Sequence, residues 1–468
     1  MQAGGNMSDV EFRRTLRLPV SVETLFAWHE RAGAFERLSP PWDHAKVVEH
    51  TGGIRDGARV VLAVPVGPIN TRWVIEHRDY QVNKQFRDIL LQGPFAKFDH
   101  THRFAAEGPN ASTLEDYIQY ALPMGPIGAL AGGWYANSTL GQVFRYRHAL
   151  LLGDLERHAQ FADRGPMRIA VTGANGFIGK QLCAFLTTGG HTVLRIGRGA
   201  FNPGVVDLPW NPAKGEIDAR ALEGVDAVIH LAGANIAERW SDDHKRAIRE
   251  SRVQGTTLIA KTIANLERKP RVLLSASAIG IYGDRGDEIL DESSTLGSGF
   301  LPEVAREWEA STEAAERAGV RVVHLRTGIV QGAAGGALGK QLPFFRMGVG
   351  GPLAGGHDWV SPIALDDEIG AIHFCLMQDN VRGAVNLVCP TPITNGRYTH
   401  VLGDVLHRPA FLPVPAFGLH ALFGREMVDN TILTSLRVMP AALLRAGFHF
   451  RHPTILDILR FELGTGAG

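Results

Sequence analysis

From Met167 the chain reads M-R-I-A-V-T-G-A-N-G-F-I-G, an apolar run of strand character ending in glycines at 173, 176 and 179. Few stretches constrain a fold so tightly. A strand must stop at Gly173, turn sharply and hand over to a helix that starts close beside it. Gly173 permits the tight turn, Gly176 lets backbone N–H groups approach an anion, and Gly179 lets the helix pack against the sheet. Phe177, Ile178 and Gly179 open that helix, where unpaired N–H groups and the helix dipole favour a pyrophosphate. The expected ligand is a dinucleotide.

The residues beyond the glycines choose between the two nicotinamide dinucleotides. An NAD site places an acid about 20 residues on, to hold the ribose 2′-hydroxyl. Here that region is H-T-V-L-R-I-G-R-G, with Arg195 and Arg198 and no acid. A guanidinium at Arg198, just past the strand, suits a 2′-phosphate, so NADP is favoured and NAD remains possible. Arg195 reads as a solvated strand residue. Further strands follow at DAVIHLAG, RVLLSAS and RVVHLRTGIV, with helical segments between them. Continuous apolar strands alternating with helices predict a doubly wound parallel sheet, an α/β Rossmann domain, over residues 167–390. Residues 391–464 read as a small C-terminal helical domain.

Residues 9–160 follow another pattern. Val10, Phe12, Leu16 and Leu18 are mostly two apart, as in a strand with one buried face. Ser21 is a plausible N-cap for VETLFAWHE. Strand-like runs at ARVVLAVP, TRWVIEHR, QFRDILL, HTHRFAA and STLEDYIQYAL are separated by Gly, Pro and Asn. An amphipathic helix from about Leu140 to His158 closes the segment, with Leu140, Val143, Phe144, Leu151 and Leu155 on one face. The link AQFADRGP, residues 159–166, separates the two regions.

Strand, helix, meander and long closing helix resemble the α+β helix-grip fold of the START-like, polyketide-cyclase (SRPBCC) superfamily. The segment SPPW, Ser39 to Trp42, is similar to a motif of members fused to dehydrogenase-like domains. That resemblance implies an apolar cavity between sheet and helix, and hence an apolar ligand; a packing or partner-docking module is the alternative. In the remainder, TGANGFIG, HLAG, RWSDDHKRAIRESR, SASAIGIYGDRGDE, FLPEVAREWEA, LRTGIV, GGALGK and GVGGPLAGG occur in order. Together they resemble an atypical branch of the extended short-chain dehydrogenase/reductase superfamily, the NAD-dependent epimerase/dehydratase-like oxidoreductases. The tail from PTPITN through VMPAALLRAGFHF is similar to a C-terminal domain of unknown function found with that branch.

The resemblance implies that Leu231, Ala232 and Gly233 line the adenosine and ribose side. His230 reads as a packed histidine. It also implies a serine beside the substrate and a Tyr-x-x-x-Lys pair that transfers the proton. Ser277 matches the serine, but Phe300 and Val304 stand where the tyrosine and lysine belong. Tyr282 is then a second catalytic candidate, although a tyrosine packed at a strand-to-loop corner is the better reading of it. Glu307 and Glu309, flanking Trp308, offer carboxylates. Arg252 replaces the asparagine usual in that helix, and with Arg326 it is expected to engage the cofactor or an anionic substrate group.

Lys+Arg and Asp+Glu both total 48, which provides no global field for nucleic acid or an anionic membrane. No run of about 18 apolar residues suggests a membrane span. Cys183, Cys375 and Cys389 are scattered in apolar segments, so buried thiols in a reducing cytoplasm are expected and a metal is not. Two functions fit: an NADP-dependent oxidoreductase or epimerase-like enzyme acting on a small molecule through an atypical site, or an NADP(H)-binding sensor without turnover. The sequence does not specify an oligomeric state.

Overall fold

A computed structural model describes residues 9–43, 45–66, 69–123 and 125–466. The chain divides into two compact units, one built mainly on residues up to Gly165, together with 184–190, and the other on the remaining residues from Pro166.

The first unit contains β1 (Val10–Leu18), α1 (Val22–Glu30), α2 (Ala34–Leu38), β2 (Lys46–Thr51), β3 (Arg59–Val66), β4 (Ile69–Gln81), β5 (Gln85–Gln92), β6 (Lys97–Gly108), β7 (Ala111–Ala121) and α3 (Gly125–Ala159). Its antiparallel sheet has the order β1-β7-β6-β5-β4-β3-β2. Ser21 caps α1 by accepting from the Thr24 N–H at 3.3 Å. Every residue of β2 is exposed, so this edge strand shows none of the burial alternation by which strands are read from sequence. The closing helix starts at Gly125, well before the expected Leu140; its first turns, rich in Gly and Ala, lack the amphipathic period by which a helix is read from sequence. Arg37 donates to Asp154 through Nε at 2.9 Å and Nη2 at 2.6 Å, tying α2 to α3 with a fully buried pair.

Two apolar clusters flank the region beneath α3. One gathers Phe26, Trp28, Phe104, Leu151 and Leu155, the other Ile118, Tyr120 and Phe144. Between β6, β7 and α3, where an apolar cavity was expected, the structure places His100, His102, Asp116 and His148, all buried. Asp116 bonds His148 across that interface at 2.7 Å. The inner face is therefore charged at its centre and apolar on its flanks.

The second unit begins with β8 (Arg168–Thr172), α4 (Phe177–Thr188), β9 (Thr192–Gly197), β10 (Leu208–Asn211), β11 (Glu216–Ile217), β12 (Ala227–His230), α5 (Asp242–Ala264) and β13 (Val272–Ala278). It continues with β14 (Ile289–Leu290), α6 (Phe300–Ala310), α7 (Glu313–Arg317), β15 (Arg321–Thr327), β16 (Ile329–Gly332), α8 (Gly336–Arg346), β17 (Trp359–Val360), β18 (Pro362–Ala364), α9 (Leu365–Met377), β19 (Gly383–Leu387) and β20 (Ile393–Thr394). Its main sheet runs β11-β10-β9-β8-β12-β13-β15-β19 and is parallel except for the β10–β11 pair. Ile169, Ala170 and Val171 of β8 and all of β12 are fully buried, as a sheet covered on both faces requires. Chain order reverses between β8 and β12. That switch point opens a crevice beyond the carboxyl ends of the two strands, the usual ligand position in such sheets.

The tail, residues 391–464, lies in the same compact unit as the main sheet. β20 pairs with β17, and β21 (Arg437–Val438) pairs with β14. No described helix is long and apolar enough to cross a membrane.

Candidate cofactor and active site

The glycine turn lies at the switch point. Gly173 has φ +69°, and a Cβ there would stand 2.9 Å from the Leu231 carbonyl carbon and 3.0 Å from the Ala232 nitrogen. The turns after β8 and β12 therefore touch, backbone to backbone. A Cβ on Gly179 would fall 2.1 Å from the Gly173 oxygen, so α4 can start this close only because that position is glycine. The Gly176 N–H donates to the Gly173 oxygen at 2.9 Å and closes the turn. The N–H groups of Phe177, Ile178 and Gly179 occupy the first turn of α4, where no intrahelical acceptor exists. The Phe177 ring is committed elsewhere: a Cβ on Gly332 or Gly335 would lie 2.5 or 2.8 Å from it. Gly332 and Gly335, between β16 and α8, thus make room for the Phe177 ring.

The Thr172 hydroxyl accepts from the N–H groups of Leu231 and Ala232 at 3.1 and 3.2 Å and lies 2.7 Å from His230 Nδ1. This clamps the two strand ends together. Burial pushes the His230 pKa down to about 4, so it is a neutral packed ring. Just beyond the end of β9, Arg198 is exposed. Arg195 is half-buried and faces Asp207 at 3.8 Å, not open solvent. Asp207 also accepts from the backbone of Arg195 and Gly204, and Asn175 donates to the Val205 carbonyl, so the loop after β9 is tied to the glycine turn.

Arg252, on α5, meets the β12 turn from the other side. Its Nη1 donates to the carbonyls of Ala234 and Ile248, both at 3.1 Å, and its guanidinium lies 4.9 Å from the Trp308 ring centre. Gly233 leaves room for it; a Cβ there would stand 3.4 Å from Arg252 Cζ. Burial lowers its pKa to about 10, and none of its contacts is a carboxylate. A half-buried cation whose partners are two carbonyls and an aromatic ring, with no carboxylate, favours an anionic ligand.

The strand ends further along carry a closed polar network. The Ser277 hydroxyl donates to Glu309 Oε1 at 2.7 Å. Arg326 donates to both oxygens of Glu309, at 2.8 and 2.9 Å, and to the Tyr282 hydroxyl at 3.0 Å. Tyr282 in turn donates to Asn386 Oδ1 at 2.8 Å. Burial opposes charge on Glu309, but Arg326 and Ser277 outweigh it and hold the carboxyl below its usual range. The next residue, Thr327, donates to Glu368 of α9 at 2.8 Å. Burial pushes Glu368 up to about 8, against that hydrogen bond, and its Oε2 has no partner.

This geometry departs from the expectation for Arg326 and from the catalytic candidacy of Tyr282, though not from its reading as a packed tyrosine. Arg326 is 5% exposed and its charge is matched by Glu309, so it does not present a free guanidinium to the cofactor crevice. Tyr282 has no exposed surface and packs with Ile279, Ile281, Leu290, Val388 and Val438; burial raises its pKa despite the neighbouring Arg326. Ser277 reaches the strand end as expected, but its hydroxyl proton is held by Glu309. Phe300 is half-buried against Trp240, with Lys245 Nζ 5.1 Å from its ring centre, and Val304 is buried. Of the two acids beside Trp308, Glu307 is exposed and pairs with Arg249, while Glu309 turns inward. The signal was present in the helical period. Glu309 lies four residues from buried Ala305 and seven from buried Pro302. Asn386 carried none, because it is joined to Tyr282 from over a hundred residues away.

Residues 18–143 match the polyketide cyclase / dehydrase and lipid transport family, 169–305 the NAD dependent epimerase/dehydratase family, and 414–462 a domain of unknown function, DUF1731. Epimerase family protein Mb2239 of Mycobacterium bovis is 41% identical over 294 residues, covering 63% of this chain and 96% of the relative. A structure described as the nucleoside-diphosphate sugar epimerase from Corynebacterium glutamicum superposes with a TM-score of 0.80 at 31% identity, covering 97% of this chain and 90% of that one. The human epimerase family protein SDR39U1, isoform 2, solved with NADPH, gives a TM-score of 0.57 at 30% identity, covering 63% of this chain and 98% of its own. Glycine turn, switch-point crevice and these similarities agree: the chain belongs to the epimerase family, with a polyketide-cyclase-like segment N-terminal to the family's sheet.

Proposed function

We propose that this protein binds NADP(H) at the switch-point crevice and acts as an epimerase-family oxidoreductase on a small substrate, without a Tyr-x-x-x-Lys relay. The glycine turn carries the reading: Gly173 and Gly179 fill positions where any side chain would strike backbone 2.1 to 3.0 Å away. The first N–H groups of α4, at Phe177, Ile178 and Gly179, would hold the pyrophosphate. Arg198 would take the 2′-phosphate, and Leu231, Ala232 and Gly233 the adenosine and ribose side. Arg252, with no carboxylate among its contacts, would take a further anionic group. The human relative's NADPH supports the choice of dinucleotide.

When bound, the nicotinamide would supply or accept a hydride. The chain's own contribution is orientation and charge. The Ser277 hydroxyl, fixed by Glu309, would position a substrate oxygen. Glu309, held ionised between Ser277 and Arg326, would receive a proton only through that serine.

A second reading, a sensor that holds NADP(H) without turnover, draws support from one observation. Ser277 is bonded to Glu309, Tyr282 is joined to Glu309 through Arg326, and Phe300 and Val304 cannot carry a proton. The test is to titrate the purified full chain with NADPH by fluorescence, then follow NADPH absorbance with a panel of carbonyl compounds. Binding with turnover is the expected result. Binding without turnover on any compound selects the sensor, and absence of binding sinks both.

A further inference from the structure

The first unit holds a buried histidine–aspartate cluster that the dinucleotide reading leaves unused. In the sheet register His77 opposes Asp88, Asp88 opposes His100, and His102 opposes Asp116. His100 and His102 are two residues apart on β6, so their rings share a face. His148 descends from α3 and His29 from α1. Asp88 is the most exposed member, with 20% of its side-chain surface accessible, against 3% for His100 and 8% for His102.

Around Asp88, His102 Nε2 lies 3.2 Å and His100 Nδ1 3.7 Å from Oδ2, while His77 Nδ1 bonds Oδ1 at 2.7 Å. The opposite ring nitrogens, His100 Nε2 and His102 Nδ1, both lie 2.9 Å from Asp116 Oδ1. His100 makes an aligned hydrogen bond there; His102 Nδ1 approaches without alignment. An ionised carboxylate only accepts, so Asp116 draws the His100 hydrogen to Nε2 and leaves a lone pair on Nδ1, facing Asp88. One donor atom each from Asp88, His100 and His102 fall within 4.8 Å of one another. The Asp88 oxygen and the His100 lone pair repel unless a cation lies among them, and His102 Nε2, in hydrogen-bond geometry with Asp88 Oδ2, offers the place for it, as a bound metal ion or as a proton.

A second observation points the same way. His29 is 5% exposed, its Nδ1 meets the Leu25 carbonyl at 2.9 Å, and its Nε2 has no hydrogen-bond partner. Its ring centre is 6.4 Å from that of His102, so a spare acceptor nitrogen stands beside the cluster.

We propose that Asp88, His100 and His102 bind a divalent first-row transition ion of the zinc(II) and iron(II) class, with Asp116 as the carboxylate behind the histidine rings. Imidazole with carboxylate is the donor set such ions prefer, and a carboxylate on the far ring nitrogen is the usual support for a ligating histidine. Three protein ligands leave positions open for a small oxygen ligand, unlike a closed structural zinc site. The competing cation is a proton on His102. Spacing along the sequence argued against a metal; the set emerges only when β5 and β6 pair.

Cobalt(II) is a suitable probe, added to the metal-stripped full chain and followed by its visible absorption. The expected result is one cobalt per chain, displaced by zinc(II). Binding should be lost in Asp88→Asn and in His102→Ala and weakened about 10- to 100-fold in Asp116→Asn. His400→Ala, at an exposed position on the other unit, should bind as the wild type does. Circular dichroism confirms that each variant is folded. Asp88→Asn preserves shape, so it decides the matter should His102→Ala not fold. No saturable cobalt spectrum, or one unchanged in folded Asp88→Asn, overturns the proposal in favour of a proton-held network.

Discussion

Glu368 offers a quantitative test of how the second unit is held together. Every residue of α9 is buried, and Glu368 lies there with Thr327 as its hydrogen-bond donor and one oxygen unpartnered. Burial keeps the carboxyl protonated up to about pH 8. In the unfolded chain a glutamate ionises near pH 4.3. Between those values the unfolded state has released a proton that the folded state retains, so stability falls as pH rises. The slope is about 1.4 kcal/mol per pH unit, or about 3 kcal/mol between pH 5 and pH 7. Glu368→Gln keeps the Thr327 acceptor and removes the titration. Its unpaired amide adds a pH-independent offset of about 1–3 kcal/mol. Native-state hydrogen exchange on peptides from α9 and β13, corrected for intrinsic rates, measures the opening free energy of this unit separately from the other. The wild type should lose stability relative to Glu368→Gln across pH 5 to 7, and the difference should level off above about pH 8. Parallel profiles would refute a buried, neutral Glu368.

Three further outcomes follow from the site. Gly179→Ala forces a Cβ toward the Gly173 oxygen, so thermal unfolding should show about 1–3 kcal/mol lost and fluorescence titration a loss of NADPH binding. Arg198→Glu should weaken NADPH far more than NADH in the same titration; equal effects would remove the 2′-phosphate assignment. Glu309→Gln leaves the Arg326 cation buried without its counter-charge, which should cost about 3 kcal/mol near neutral pH. Because Glu309 is held below the usual carboxylate range when folded, its contribution is present above about pH 4.3 and lost as pH falls through the folded value; the acid limb of β15 exchange should therefore flatten in the variant.

Legibility tracked distance along the chain. β8, the glycine turn and the start of α4 were readable because thirteen contiguous residues encode them: Gly173 takes φ +69°, and Gly176 and Gly179 crowd the Gly173 oxygen, although the contact of Gly173 with Leu231 and Ala232 is tertiary. β2 escaped because an exposed edge strand has no buried face to alternate with. Arg326 was read as a free cation because nothing nearby in sequence neutralises it; its partners, Glu309 and Tyr282, arrive on α6 and on the turn after β13. The inner face of the first unit was read as apolar from a family resemblance, whereas the His100 and His102 alternation in HTHRF finds its acids, Asp88 and Asp116, on the two neighbouring strands, and the adjacent Asp99 pairs with Arg87 instead.

The sequence by itself determined the α/β sheet and the turn that suits a dinucleotide, both properties of local backbone geometry and residue identity. Only the tertiary structure decided which charges are satisfied. Arg252 is left with carbonyls, Arg326 is matched by Glu309, and Asp88 and Asp116 are brought against His100 and His102. Electrostatic interactions depend on separation in space and on burial, and strand pairing across tens of residues sets both.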